Sequence, residues 1–480
     1  MMKHHQGLRS TCYLLHTTRP SGAKHSLDDE TSSGSSLYLL LATRYFLLMT
    51  DNRFANMFNL TEDEAIALLQ KPLAELEDKS ERYVAASHLS NFDTPKSIEA
   101  LIATIEDDNP DMYHRIARRK AIESLGRLKA KTALPAIVGC LQESDSYTVE
   151  NAVWAIKDIG TDDETILARI ASLLDKENQS HRLIIQVLGQ FDYYSALEKI
   201  KTFTDSEDET IASAAISTVA KLTGDYSKMS EVTAFLNHSS VNARRLSIQD
   251  LIDTNYYDAI PDIAKTPVSV AFRLRGVRLL AEKGIEEGKI TFAEVQPYLD
   301  MVICDRPQDL NLVHEYDQKP ALEFLIGELY QTDFGRCYLA TQTLLEEYPE
   351  AAPEAVMATY EAEAYRDYGA HYHVIKLLGW FKHEPGKQIL LKNLNHPQPQ
   401  FQKSRAASAI ALGNMGATEA IPLLQETAKS QIFDLKYASL LALKQLGDGT
   451  ANDFITEEDD LLIRAIKETG VGIISKANSS

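Results

Sequence analysis

The sequence predicts an all-α fold, a solenoid of paired helices wound into a superhelix. Two recurring marks and one apolar stripe predict it. The first mark is a glycine that closes an apolar helical run: AIESLG ends at Gly126, AVWAIKDIG at Gly160, IIQVLG at Gly189, AISTVAKLTG at Gly224, ASAIALGNMG at Gly416 and ASLLALKQLG at Gly447. The first four stand 34, 29 and 35 residues apart. The second mark is a proline, in ALP at Ala133–Pro135, AIP at Ala259–Pro261 and AIP at Ala420–Pro422. Proline suits the first turn of a helix, where its missing N–H has no intrahelical partner to lose. Each unit therefore reads as one helix, a glycine-closed turn and a second helix opened by proline. Two-helix units at a period of roughly 30–47 residues are HEAT- or armadillo-like repeats.

The stripe is clearest in Val149–Gly160. Val149, Ala152, Val153, Ile156 and Ile159 fall on one side of a helix with a 3.6-residue period. One repeat cannot bury such a stripe alone, so repeats stack and leave a long concave surface. An active site on that surface draws residues from several repeats, and no compact catalytic motif is expected.

Taken in order, residues 1–48 stand outside the pattern. They hold four of the 13 histidines and a Ser/Gly run, and their five Lys/Arg exceed their three Asp/Glu. The apolar run Leu37–Leu48 is broken by Arg44 and is too short to span a bilayer. The segment reads as a disordered or non-native extension, with Met49 as an alternative start. Residues 49–285 read as N-terminal repeats; Thr61 with Glu64 before an apolar run is a capping box. The marks fail in 286–320, which reads as an irregular joint, and resume over 321–450. Residues 451–480 read as a C-terminal tail with one helix near Glu457–Glu468.

Composition narrows the function. Lys plus Arg number 49 against 69 Asp plus Glu, a net charge of −20. So acidic a chain lacks the basic footprint that nucleic acid requires. The cysteines, Cys12, Cys140, Cys304 and Cys337, form no CxxC pair. That argues against a zinc site or a disulfide framework and fits a reducing cytosol.

Several residues stand out as candidates. Glu150, Trp154 and Lys157 lie together off the core stripe of their helix, with Asp158 beyond them. Trp154 either packs on a neighbouring repeat or walls a ligand beside a carboxylate. Aligning repeats on their glycines places Arg118 and Arg119 opposite Ala152 and Val153. His181-Arg182 and Arg244-Arg245 fall at the same repeat position as the Arg118 pair. Arg118, Arg182 and Arg244 are 64 and 62 residues apart, so a basic pair recurs every second repeat. Arg82 precedes this ladder and Arg405 follows it. Such arginines either bond the turns of the next repeat or present forks to carboxylates. His314-Glu315-Tyr316-Asp317 lies in the joint, where a phenol beside a carboxylate can pass protons. His371 and His373, at i and i+2 near Trp380, point to different helix faces and make a weak metal signal. His314-Glu315 and His383-Glu384 do not recur at matched repeat positions, so no metal site is expected.

RYVAASHLSNF (82–92), YHRIARRKAIESLGRL (113–128) and YTVENAVWAIKDIG (147–160) resemble the phycobilin lyases of the E/F clan. The likeness is greatest to long single-chain members that attach phycoerythrobilin to phycoerythrin. It covers most of residues 54–447 and none of 1–48. The resemblance implies a solenoid that carries an open-chain tetrapyrrole and delivers it to a cysteine of an antenna protein, here a phycoerythrin α subunit. Some members also isomerise phycoerythrobilin to phycourobilin. It further implies a second lyase subunit or a homodimer as partner, the cytoplasm near the phycobilisome as location, no integral membrane segment, and no cofactor, since the bilin is substrate.

Under that resemblance the candidates acquire roles. Arg118, Arg119, His181, Arg182, Arg244 and Arg245 would hold the two propionates. Trp154 would face the conjugated rings, and Glu150 or Asp158 the protonated pyrroles. Tyr316 and Asp317 would move the proton. The rival reading is a non-enzymatic adaptor or chaperone that grips a protein partner.

Overall fold

Helix starts in this chain are written by short polar residues. Asp111, Asp163, Asp208, Asp333 and Asp367 each accept a hydrogen bond from a backbone N–H two residues on. These bonds satisfy donors that the helix leaves over. Thr61 and Glu64 close the expected capping box, and Pro135, Pro261 and Pro422 each sit in a first helical turn.

The computed structural model describes residues 60–469, and every regular element there is helical. The first stretch holds α1 (Glu62–Gln70), α2 (Glu81–Leu89), α3 (Pro95–Glu106), α4 (Met112–Arg127), α5 (Leu134–Gly139), α6 (Ser146–Ile159), α7 (Glu164–Ser172) and α8 (His181–Gln190). It continues through α9 (Leu197–Lys201), α10 (Glu209–Thr223), α11 (Met229–Ala234), α12 (Val241–Asp253), α13 (Ile260–Lys265), α14 (Val270–Glu286) and α15 (Phe292–Cys304). The last stretch holds α16 (Leu322–Glu328), α17 (Phe334–Glu347), α18 (Ala352–Thr359), α19 (Tyr368–Trp380), α20 (Lys387–Leu394), α21 (Gln402–Met415), α22 (Ile421–Thr427), α23 (Phe433–Gln445) and α24 (Leu461–Thr469). The all-α solenoid is as the sequence predicts. The reading of residues 1–48, with Met49 as a start, lies outside the described residues. Among the described residues no helix is long and apolar enough to cross a membrane.

The even-numbered helices from α2 to α14 stack side by side as one layer, and the shorter odd-numbered ones form a second. The repeat glycines turn out to be of two kinds. Gly160, Gly224, Gly416 and Gly447 end their helices with φ of 71–80°, a conformation that favours glycine. Gly126 and Gly189 lie inside α4 and α8; a Cβ on Gly126 would sit 2.8 Å from the Cα of Ala155 on α6. In those repeats the left-handed residue comes three later, at Lys129 and Asp192.

That difference corrects one alignment. Counted from the left-handed residue, Arg118 and Arg119 match Val149 and Glu150, not Ala152 and Val153. The pairs at 118, 181 and 244 share one register, 11 and 10 residues before Lys129, Asp192 and Asn255.

The apolar core changes partners at α10. Ala214, Ala215 and Leu222 pack with the preceding repeats, Ile216 and Ala220 with the following ones. Two expectations about the second half are corrected. The joint 286–320 is not irregular throughout, because it contains α15, capped by Thr291 and Glu294. After the left-handed Gly288 that follows α14, the segment carries no further repeat mark, yet Val295, Leu299 and Val302 recur at helical spacing and are buried. α15 packs on α13 and α14 and again on α21, α23 and α24, so the last repeats close over it. The expected tail is likewise part of the fold up to α24, where Leu462, Ile463 and Ile466 are buried.

Candidate functional site

On α4, α6, α8 and α12 the residues ten, six and two before the left-handed residue share one face, a four-residue spacing that keeps them on one side of a helix; on α10 the matching Ala214, Thr218 and Leu222 are buried. On α6 these are Glu150, Trp154 and Asp158. On α4, α8 and α12 the matching central residues are Glu123, Gln186 and Gln249.

This face is concave. Arg182 of α8 pairs with Asp250 of α12, at 2.9 and 2.7 Å, with α10 between them. Packed helix axes lie roughly 8–10 Å apart, so in a flat layer α8 and α12 would be too distant for that pair. The positive charge of Lys157 on α6 is likewise felt at Asp253 of α12.

Trp154 and Glu150 stand on this concave face, half-buried, while Val149, Ala152, Val153, Ile156 and Ile159 fill the core as their stripe predicts. The Lys157 ammonium lies 4.4 Å from the centre of the Trp154 ring. Burial pushes the Glu150 carboxyl up to about 7, and its Oε1 has no hydrogen-bond partner among the described residues. A carboxyl poised near neutrality beside an aromatic wall can give or take a proton at working pH. The carboxyl of Asp253, an exposed residue hemmed in by the surrounding protein, is also raised, by partial desolvation and then by the neighbouring Asp250 carboxylate. Asp158 is half-buried on the same helix.

The basic ladder divides by burial. Arg118 bonds the carbonyl of Ile105 at the end of α3 and forks onto Glu143 at 2.8 and 2.5 Å. Arg119 pairs with Asp145 and rests 4.9 Å from the Tyr147 ring. His181 bonds the Lys176 carbonyl and leans on Phe203. Arg182 is 4% exposed and Arg244 is wholly buried. Arg244 bonds the carbonyls of His238 and Ser239 and pairs with Asp333 at 2.5 Å. Arg245 donates to the Thr332 carbonyl and lies 5.3 Å from the Phe272 ring. Arg82 and Arg405 bond the carbonyls of Leu69 and Leu394. The ladder is thus built into the scaffold, and the expectation that Arg182 and Arg244 meet a ligand fails because both are inside it. Arg118, Arg119, His181 and Arg245 keep partial exposure.

Tyr316 and Asp317 do not assemble as expected. The phenol is half-buried against Phe324, raised to about 12 by burial and by nearby Glu328, and its oxygen has no hydrogen-bond partner among the described residues. Asp317 is exposed. Consecutive residues in an extended loop point apart, which separates them. His314 instead bonds Asp333 at 2.9 Å. His371 bonds Ser404, and His373 is buried against Phe334.

Burial pushes the thiols of Cys140, Cys304 and Cys337 up to about 12, so none is an activated nucleophile. Among the described residues no group of three or more His, Cys, Asp or Glu is placed to hold a metal. Sequence reasoning missed Gln186, Gln249, Asp250 and Asp253. The four-residue spacing counted from the left-handed residue would have found all but Asp250.

Comparisons with known proteins bear on the family of the chain. A model described as HEAT repeats matches residues 113–182, and one described as PBS lyase HEAT-like repeat matches residues 404–430. The chain is 54% identical to "Uncharacterized phycocyanin operon protein Y" of Pseudanabaena tenuis, over 86% of this chain and 99% of that one. It is 32% identical to "Bilin biosynthesis protein CpeY" of a Synechococcus species, over 78% of this chain and 91% of that one. It is 27% identical to "Phycocyanobilin lyase subunit alpha" of a Nostoc species, over 46% of this chain and 84% of that one. Among solved structures, the complex of CpcE and CpcF of phycocyanin lyase from Nostoc matches with a TM-score of 0.44 and 26% identity, covering 51% of this chain and 95% of that one.

Proposed function

Because this chain belongs to the HEAT-repeat bilin lyases and is a phycobilin lyase, we propose that it attaches phycoerythrobilin to a cysteine of a phycoerythrin α subunit. The observation that carries the reading is the concave face around Trp154, Glu150 and Lys157, an aromatic wall beside a carboxyl poised near neutrality. The likeness of residues 82–92, 113–128 and 147–160 to lyases of that kind supports the choice of substrate. Membership in an enzyme family sets the adaptor reading aside.

The chemistry needs no oxidant. The acceptor's cysteine sulfur forms a bond to the ethylidene carbon of the bilin's terminal ring. The electron pair of that double bond moves into the conjugated rings, where a proton enters. Glu150 supplies or relays that proton, and Trp154 faces the rings. Arg119 and Arg245, at the partly exposed positions of the ladder, hold propionates in forked hydrogen bonds. The bilin is a substrate and no cofactor is required. The subunit name of the Nostoc relative supports a second lyase chain as partner.

The test is coexpression with a phycoerythrin α subunit and a phycoerythrobilin-producing pathway. Product absorbing as covalent phycoerythrobilin is expected. A phycourobilin spectrum adds isomerisation to the activity. A colourless phycoerythrin α subunit beside a coloured phycocyanin α subunit overturns the assigned acceptor.

A further inference from the structure

The groove around Trp154 has one rim that carries exposed aromatic side chains. Tyr147 stands three residues before Glu150 on α6, so it extends the row of Glu150, Trp154 and Asp158 to the N-terminal end of that helix. Arg119 of α4 lies 4.9 Å from the centre of the Tyr147 ring. Beside it, Lys120 lies 5.1 Å from the centre of the Tyr83 ring on α2. Lys79, in the turn before α2, lies 5.7 Å from the centre of the Tyr113 ring, and Met112 and Tyr113 open α4. Three long helices thus share one band in which each tyrosine ring carries a cation, and Tyr83, Tyr113 and Tyr147 are 40%, 36% and 44% exposed.

Exposed apolar side chains scattered singly need no explanation. These are not scattered. Between residues 60 and 190 the large hydrophobic side chains that are exposed are Tyr83, Met112, Tyr113 and Tyr147, and all four lie in this band. The opposite rim, where α6 ends at Gly160 and the chain runs on through Thr161, Asp162 and Asp163, presents polar side chains. Two of the cations are themselves held, Arg119 by Asp145 at 2.7 Å and Lys120 by Glu123 at 2.7 Å. A ring packed on a fixed cation has little freedom left to lose when it meets a partner. Tyrosine and arginine are also the residues in which interface binding energy concentrates.

We infer that this band docks the protein that carries the acceptor cysteine. The inference rests on the bilin-attachment reading. For its sulfur to reach a bilin held beside Glu150 and Trp154, the acceptor has to pass over a rim of the groove, and the band is the rim nearest Glu150. The fitting partner is a folded protein whose cysteine is bordered by apolar side chains and carboxylates. The apolar groups cover the tyrosine rings, and the carboxylates meet the exposed Lys79 ammonium and the tyrosine hydroxyls. Docking there orients the thiol toward the groove before any bond forms.

The experiment uses the full chain, free and loaded with phycoerythrobilin. It is titrated with a bilin-free phycoerythrin α subunit whose acceptor cysteines are replaced by serine, so that the complex does not turn over. Bilin affinity and melting temperature are measured on the same proteins. Combining Tyr83→Ala, Tyr113→Ala and Tyr147→Ala is expected to weaken acceptor binding by about tenfold or more. Tyr83→Ala with Tyr113→Ala is expected to leave bilin affinity unchanged. Tyr194→Ala, at a more exposed ring in the turn after α8, is expected to leave acceptor affinity unchanged. Should the triple variant melt early, the single exposed change Tyr113→Glu, which repels the partner's carboxylates, is read in its place. Unchanged acceptor affinity in the band variants, or an equal loss in Tyr194→Ala, overturns the inference. So does a triple variant that loses only self-association in sedimentation, which gives the band to a second copy. If the parent chain binds a phycocyanin α subunit in place of the phycoerythrin one, the assigned acceptor fails, and a tenfold loss with that subunit still supports the band. Binding of neither subunit by the parent chain overturns it.

Discussion

Arg182 of α8 clasps Asp250 of α12 past the intervening helix, its two guanidinium nitrogens 2.9 and 2.7 Å from the two carboxylate oxygens. The same arginine bonds the carbonyls of Thr210 and Leu246, and Asp250 also accepts from Ser213 and Gln186. Three consecutive repeats are tied by one buried pair, and the tie sets the curvature of the groove that holds Trp154. Arg182→Ala is expected to destabilise by about 3–5 kcal/mol, because it leaves Asp250 buried and uncompensated. Arg119→Ala, at a partly exposed pair, is expected to cost about 1 kcal/mol or less in stability and to weaken bilin binding. Thermal melts and bilin titrations on both variants check this. Equal losses of stability would show that the two arginines serve the scaffold alike.

Glu150 makes stability depend on pH. Its carboxyl is raised from 4.5 to about 7, so the folded chain favours the protonated form. The contribution is fully present below pH 4.5 and is lost as pH rises through about 7. Glu150→Gln removes that dependence. Its stability relative to the parent chain is expected to grow by roughly 1–3 kcal/mol between acid and pH 8. The same variant is expected to slow bilin attachment by about 10²–10⁴-fold at neutral pH, if Glu150 delivers the proton. Melting curves across pH, beside attachment rates, separate the two effects; a pH-independent difference in stability would contradict the burial argument.

Two glycines predict opposite outcomes. A Cβ on Gly379 would lie 2.7 Å from the Cα of Ala411 on the next long helix, so Gly379→Ala must push α19 and α21 apart. A loss of about 1–3 kcal/mol or more is expected. Gly139 in α5 has helical φ and nothing within 4 Å of its would-be Cβ. Gly139→Ala should gain about 0.4–1 kcal/mol by restricting the unfolded chain. Denaturant melts of both variants suffice, and a stabilised Gly379→Ala would refute the close approach.

Tyr316→Phe removes a buried hydroxyl that has no hydrogen-bond partner among the described residues. Its stability is expected to hold or rise by about 1 kcal/mol. Tyr316→Phe and Asp317→Asn are both expected to attach bilin at the parent rate, since the phenol and the exposed carboxylate do not meet. A slowed or altered product spectrum in both variants would restore the pair to the mechanism.

The sequence by itself determined the class of fold and the contents of one helix face. Helix periodicity and capping are local, so the stripe from Val149 to Ile159, the Thr61 capping box and the prolines at Pro135, Pro261 and Pro422 could be read directly. Trp154 and Glu150 could be placed off that stripe for the same reason. What the arginines bond could not be read, because their partners are distant in sequence: Asp250 is 68 residues from Arg182, and Asp333 is 89 from Arg244. Gly126 and Gly160 look alike in sequence, yet one permits two helices to touch and the other turns the chain. Only the packing of neighbouring repeats distinguishes them. The joint was hidden because α15 carries no repeat mark, and its worth lies in surfaces on α21, α23 and α24 that come more than 90 residues later. Asp305 became the centre of four donors only when the curving stack brought Arg273, Tyr338, Tyr372 and Lys376 around it. Long-range burial decides such a site, and no local pattern records it.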